Sequence, residues 1–116
     1  MADAEKVQAT AAEFQKTQTD LENAIDLQQQ LLSQLTESRE VQKELAKLTP
    51  DQTVYKRIGP ALLPQDHNDA KDNVNKRLEF IEKELSRVEE QIKNVSASRD
   101  KLRIEIATLQ QKLQAQ

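Results

Sequence analysis

The chain of 116 residues is long enough for one ordinary domain, but 36% apolar residues with only three aromatic side chains argue against a compact globular core. Ala, Glu, Lys, Leu and Gln dominate, and this composition is typical of long helices. The absence of Cys excludes disulfides and thiolate metal sites, a single His excludes a histidine-based metal site, and a net charge of −3 argues against a nucleic-acid partner.

The first predicted element is a helix over residues 1–48, because residues 4–48 contain neither Gly nor Pro. Asp3 is its expected N-cap, and the dipeptide Thr49-Pro50 is expected to end it. Apolar and small residues spaced four and three apart form a heptad pattern, which is typical of a coiled coil. These positions are Val7, Ala11, Phe14, Gln18, Leu21, Ile25, Gln28, Leu32 and Leu35, followed by Ser38, Val41, Leu45 and Leu48. An extra step of three separates the two groups and predicts a stammer.

The second predicted element is a β-hairpin within residues 49–66, the segment that contains all three prolines and the only glycine. Residues 53–58 are rich in β-branched and aromatic side chains, Gly59-Pro60 is a turn signal, and residues 61–63 form an apolar run that Pro64 ends. Both faces of this hairpin require burial, and an isolated hairpin is only marginally stable. We therefore predict an oligomer interface formed by Val54, Tyr55, Ile58, Gly59, Ala61, Leu62 and Leu63. The alternative is an apolar loop folded against the end of the coil.

The third predicted element is a helix over residues 67–116, with Asp66 as its N-cap and Asp69 as a weak capping-box partner. Its core positions alternate steps of four and three without a break, which predicts a left-handed coiled coil. They are Val74, Leu78, Ile81, Leu85, Val88, Ile92, Val95, Arg99, Leu102, Ile106, Leu109 and Leu113. Together these core positions form the seam of the helix, the stripe that faces its partner. Arg99 is expected to pack its aliphatic stem in the seam and extend its charged head to water. His67 is expected to be a solvated surface residue.

The two heptad patterns match each other in an antiparallel arrangement. Residue numbers of facing core positions add up to 120 as far as Leu35, and to 119 after the stammer. This agreement favours pairing of the two helices within one chain over pairing with other chains. The predicted fold is mainly α, a long antiparallel two-helix coiled coil with one β-hairpin between the helices.

The plan of helix, single hairpin and helix resembles a β-class subunit of the prefoldin family. The resemblance is carried by VYKRIGPALL at residues 54–63, which is similar to the hairpin of that family, and by NKRLEFIE at residues 75–82, which is similar to the start of its second helix. It extends over essentially the whole chain. One hairpin rather than two is the feature that separates the β class from the α class.

The resemblance implies a hexamer of two α-class and four β-class subunits, so the partners would be two α-class and three further β-class subunits. It implies an ATP-independent chaperone that holds unfolded polypeptide, such as actin and tubulin, and passes it to the cytosolic group II chaperonin. The chain would then be cytoplasmic, with no cofactor, no nucleic-acid partner and no membrane contact. It would not be an enzyme, and no nucleophile–base pair stands out in the sequence. The alternative function is a structural coiled-coil tether or adaptor in a multiprotein complex.

The expected substrate-binding residues lie at the free end of the coil, partly on the same resemblance. They are Val7, Phe14, Ile106, Leu109 and Leu113. The last turns of both helices lack neighbours beyond them, so fraying would expose these side chains as one flexible apolar patch. The alternative is that they only close the end of the coil.

Overall fold

The computed structural model describes residues 2–115, which form two long helices joined by a β-hairpin. Helix α1 spans Ala2–Ala46, strands β1 and β2 span Val54–Ile58 and Ala61–Gln65, and helix α2 spans His67–Ala115. The predicted fold class is therefore confirmed. Met1 and Gln116, the outermost residues of the predicted segments 1–48 and 67–116, lie outside the described residues.

The chain divides into two compact units, and each contains parts of both helices. The terminal unit consists of the chain up to Gln29 together with the chain from Arg87 onward, and the hairpin unit is Gln30–Ser86. The hairpin unit has a core that is mainly leucine and isoleucine. Its buried side chains are Leu31, Leu35, Ser38, Leu45, Ala70, Leu78, Ile81 and Leu85. The terminal unit buries a smaller and more polar set: Thr10, Leu21, Ala24, Val88 and Leu109.

The seam of α2 is the one that the sequence predicts. Each of its predicted core positions is buried or half-buried, including Arg99. Val88 and Ile81 are the most deeply buried, with 0% and 2% of their surface exposed. An unbroken four–three spacing keeps one stripe of the helix toward its partner along its length, and this explains why the pattern alone located the seam.

The seam of α1 differs from the prediction, and no stammer is present. Thr10, Ala24 and Leu31 are buried, whereas their neighbours Ala11, Ile25 and Leu32 are exposed. Apart from Gln18, which is half-buried, the buried and half-buried positions from Val7 to Leu45 keep a seven-residue repeat. They are Val7, Thr10, Phe14, Thr17, Leu21, Ala24, Gln28, Leu31, Leu35, Ser38 and Leu45. The predicted stammer arose from placing every second core position one residue too far along the chain, at Ala11, Gln18, Ile25 and Leu32. Only at Ile25 was the residue chosen larger and apolar compared with its buried neighbour, Ala24.

The helices pair in the predicted antiparallel direction. In the hairpin unit, Arg39 Nη2 lies 3.8 Å from Glu82 Oε1, and the Gln42 amide donates a 2.9 Å hydrogen bond to Asn75 Oδ1. The residue numbers of these pairs add up to 121 and 117, on either side of the predicted 119. In the terminal unit, Thr17 and Leu102 line the same groove. The register is therefore close to the predicted one.

The hairpin is a two-stranded antiparallel sheet closed by a two-residue turn. Ile58 pairs with Ala61 next to the turn, and Val54 pairs with Gln65 at the base. Gly59 adopts a φ of 60°, as the first central residue of a type II′ turn must, and Pro60 supplies the negative φ that suits the second. Strand β2 continues through Pro64 to Gln65, beyond the predicted end. Proline is tolerated there because an edge strand does not need every backbone donor.

The ends of the helices are set by different residues from those expected, with one exception. Asp66 caps α2 as predicted, since its Oδ2 accepts hydrogen bonds from Asn68 N at 3.0 Å and Asp69 N at 3.2 Å. Helix α1 begins at Ala2, which places Asp3 inside the first turn rather than at the cap. It ends at Ala46, before Thr49-Pro50, through tighter bonds such as Lys47 N to Glu44 O at 3.2 Å.

Candidate functional site

The hairpin presents apolar side chains on both of its faces. Directly paired residues share a face, so Ile58 and Leu63 lie on one face and Tyr55 and Leu62 lie on the other. All four are largely exposed, at 53%, 47%, 57% and 64% of their surface. Ala61 and Gly59 at the tip are exposed as well. The hairpin is therefore not a loop folded against the coil, which was the alternative interpretation.

Only the base of the hairpin packs against the helices. Val54 and Gln65 are half-buried and line a groove with Val41, Leu45 and Ala70 of the two helices. Tyr55 lines the same groove, whereas the other predicted interface residues do not: Ile58, Gly59, Ala61, Leu62 and Leu63. The arrangement holds the hairpin at one end and leaves its edges and both faces free for other chains.

The segment between α1 and β1 is fastened by a small polar network. Thr49 N binds Gln52 Oε1 at 2.9 Å, and Gln52 N binds Thr49 O at 3.0 Å. His67 Nε2 lies 2.5 Å from the Gln52 carbonyl oxygen, so His67 joins this segment to the start of α2. The expectation of a merely solvated His67 is corrected here. A hydrogen bond to a backbone carbonyl 15 residues away leaves no trace in the sequence pattern.

Asp51 belongs to the same network. The Thr49 hydroxyl donates a short hydrogen bond to Asp51 Oδ1. This bond, and a smaller contribution from the backbone amide of Asp51 itself, hold the pKa of the exposed Asp51 carboxyl below its ordinary value. Both bonds stabilise the charged form of Asp51.

The predicted substrate-binding residues all lie in the terminal unit. Leu109 is buried with 8% of its surface exposed, and Val7, Phe14, Ile106 and Leu113 are half-buried. Thr10 occupies the adjacent core position in place of the expected Ala11. Side chains that are half-buried and belong to a core with few large residues can be uncovered at a small energetic cost.

Arg99 lies further along the seam of the terminal unit. Its Nε and Nη2 donate hydrogen bonds of 3.2 Å and 3.1 Å to Asp100 Oδ1, while only 24% of its side chain is exposed. The stem packs and the head is turned outward, as predicted. The guanidinium group of Arg99 binds the neighbouring carboxylate of Asp100.

Sequence reasoning assigned no role to Phe80, the aromatic residue of α2. It is 61% exposed and lines a groove with Val41, which is 47% exposed. The sequence did indicate that Phe80 is exposed, because this aromatic residue lies one position before the core residue Ile81 and therefore outside the heptad pattern.

No cluster of His, Asp or Glu that could hold a metal ion occurs in residues 2–115. Neither α1 nor α2, over the part that the structure describes, contains a stretch long and apolar enough to cross a membrane.

Comparison with known proteins relates this architecture to one family. The family model described as "Prefoldin subunit" matches residues 8–114. Prefoldin subunit 6 of Saccharomyces cerevisiae is 41% identical over 98 residues, covering 84% of this chain and 86% of that protein. Prefoldin subunit 6 of Homo sapiens is 36% identical over 109 residues, covering 94% of this chain and 84% of that protein.

A solved structure shows the same fold. The prefoldin beta subunit from Thermococcus strain KS-1 superposes with a TM-score of 0.80, covering 89% of this chain and 90% of that chain. Its sequence identity is 24%, so the likeness concerns the fold.

Proposed function

The chain belongs to the prefoldin family of chaperone subunits, and from this premise we propose that it is a β-class subunit of a hetero-hexameric, ATP-independent holdase. One observation supports the proposal most strongly. A single hairpin, held only at its base, exposes apolar side chains on both faces between two paired helices. Exposed sheet edges of this kind favour strand pairing with other chains. We expect two α-class and three further β-class subunits as partners.

Assembly in this proposal is driven by the hairpin. Val54, Tyr55, Ile58, Gly59, Ala61, Leu62 and Leu63 would be the interface residues. Each of the larger apolar side chains gains roughly 1.5–3 kcal/mol when it is fully buried. Several such residues per subunit, together with backbone pairing at both strand edges, supply enough energy to offset the cost of association.

The client-binding surface in this proposal is the end of the coil that contains both chain termini. Val7, Phe14, Ile106, Leu109 and Leu113 would contact unfolded polypeptide when the final turns open. A few apolar contacts on one subunit bind weakly. Several coils acting on one client raise the overall affinity through effective concentration.

The proposed clients are unfolded polypeptides such as actin and tubulin, which the complex would deliver to the cytosolic group II chaperonin in the cytoplasm. Holding of this kind needs only exposed apolar surface. The proposal therefore assigns no catalytic residue and no cofactor to the chain.

The test is reconstitution of the chain with the other prefoldin subunits. Size-exclusion chromatography with light scattering should give the mass of a hexamer, and the hexamer should suppress the aggregation of denatured actin and of an unrelated denatured protein without ATP. A structural tether, the alternative function, would assemble without protecting unrelated denatured proteins. A chain that does not enter any complex with these subunits would contradict the proposal.

A further inference from the structure

A second exposed apolar surface adjoins the hairpin. A groove of about 450 Å³ lies between the two helices of the hairpin unit, and we call it the Phe80 groove. Its apolar lining is Val41, Val74, Phe80 and Ile81, and Glu37 and Arg77 provide its charged rim. Phe80 and Val41 remain largely exposed and line the same groove, and adjoining exposed apolar side chains, unlike single ones, mark interaction sites.

The Phe80 groove is continuous with the base of the hairpin. The smaller groove of about 250 Å³ beneath Val54 and Tyr55 is also lined by Val41, Val74 and Arg77. These three residues belong to both grooves. One uninterrupted surface therefore runs from the hairpin, along the paired helices, to Phe80.

The hairpin alone offers a small interface. Each strand has five residues, and the two edges would serve two different neighbours. Stable protein interfaces involve about 20–30 residues on each side. A neighbour that pairs with the hairpin must therefore contact more of this chain, and the surface that adjoins the hairpin is the Phe80 groove.

The chemistry of the Phe80 groove also suits a protein neighbour. Interface centres are enriched in aromatic and Arg side chains, and charged groups are placed toward the rim. Phe80 meets the first condition, and the opposite charges of Glu37 and Arg77 give the rim a means of fixing the orientation of the partner.

We propose that the Phe80 groove is a second contact surface for the prefoldin subunit that pairs with the hairpin, an inference that rests on the proposed function. The adjacent subunit inserts apolar side chains over Val41 and Phe80.

The first experiment replaces Phe80 by Asp and uses Ile104→Asp as the matched control. Ile104 also lies on α2 and is 67% exposed, but it belongs to the terminal unit. Hexamers reconstituted with each variant are diluted, and their dissociation is followed by mass photometry. Phe80→Asp should dissociate at a concentration at least about tenfold higher than the wild type, while Ile104→Asp should match the wild type. Circular dichroism of the isolated variants should show unchanged helicity.

The second experiment identifies the occupant directly. The chain contains no Cys, so Gln34→Cys introduces a single thiol at the Phe80 groove without altering Phe80. A photo-crosslinker is attached to this thiol. In the hexamer without client it should crosslink to another prefoldin subunit, as mass spectrometry would show, whereas Ile104→Cys should not.

Three outcomes would overturn the inference. The first is a Phe80→Asp hexamer that is as stable as the wild type, and the second is a crosslink that forms only with added denatured client. Both leave the proposed function intact. The third is a wild-type chain that enters no hexamer, which contradicts the proposed function and the inference together.

Discussion

Single residues determine where the elements of this chain begin and turn. Gly59 adopts a φ of 60°, a conformation that is costly for residues with a Cβ. Asp66 supplies the carboxylate that satisfies two free amides at the start of α2. His67 and Thr49 then fasten the connection from α1 through hydrogen bonds to Gln52. The hairpin therefore starts from a defined base.

At this scale we predict that Thr49→Val raises the pKa of Asp51 toward its ordinary value, because the hydroxyl that stabilises the carboxylate is lost. The folded pKa of Asp51 is depressed in the wild type. Its contribution to stability is therefore complete above the unfolded pKa and is lost as the pH falls through the lower folded pKa. An NMR titration of the Asp51 side-chain carboxyl carbon measures the shift. Thr53→Val, another exposed threonine of the same connection, should leave the pKa unchanged. An unaltered Asp51 pKa in Thr49→Val would contradict the assignment.

At the scale of elements, the seam of α1 shows which of two adjacent apolar residues is buried when two helices pair. Leu31 is buried with 6% of its surface exposed, while Leu32 is 46% exposed. The two residues are identical in type and lie side by side in the sequence. Their difference comes entirely from the direction in which α2 lies.

The adjacent leucines provide a prediction with a built-in control. Leu31→Ala should lower the free energy of unfolding by about 2–5 kcal/mol, because it leaves a cavity in the core. Leu32→Ala should lower it by less than about 1 kcal/mol. Urea unfolding of the two variants, followed by circular dichroism, gives both values. Equal losses of stability, or a larger loss for Leu32→Ala, would contradict this prediction and support the seam with a stammer that the sequence pattern predicted.

In the proposed function, assembly depends on the hairpin, and the double variant Leu62→Asp with Leu63→Asp tests this. These residues lie on opposite faces, so the variant places a charge on each face. It should not enter the hexamer, because two carboxylates would be buried without partners. Size-exclusion chromatography with the partner subunits measures incorporation. Helicity by circular dichroism should stay near that of the wild type, and Ile104→Asp should assemble normally. If the double variant still assembled into a full-size hexamer, the hairpin would not be part of the subunit interface.

At the scale of the whole molecule, the two units differ in the composition of their cores. Each unit buries one hydroxyl residue and one alanine, but the hairpin unit also buries five leucines and Ile81, while the terminal unit also buries only Leu21, Val88 and Leu109. A core with larger apolar side chains gains more free energy on burial. The difference suits a division of roles between an assembly end and a client-binding end.

Removal of residues 1–14 and 106–116 tests this division, since it deletes all five proposed client-binding residues and leaves the hairpin unit complete. The truncated chain should still form the hexamer, because Gln30–Ser86 is untouched. Its ability to keep denatured actin soluble should fall severalfold, as measured by light scattering. An intact truncated hexamer with full holdase activity would place the client-binding surface elsewhere in the assembly.

The sequence by itself determined the order of the elements, the turn at Gly59, the cap at Asp66 and the whole seam of α2. These features are local, because breakers, caps and an unbroken four–three spacing act through residues close to one another along the chain. It also indicated the family through the hairpin and the start of α2. Only the tertiary structure decided that Ala24 and Leu31, rather than Ile25 and Leu32, face the partner helix. The physical reason is that contact with α2 imposes a seven-residue repeat on α1, and at Ala24 this requirement outweighs the gain from burying the larger Ile25. The bond from His67 to Gln52 likewise depends on residues that are distant in sequence, so no local pattern could reveal it.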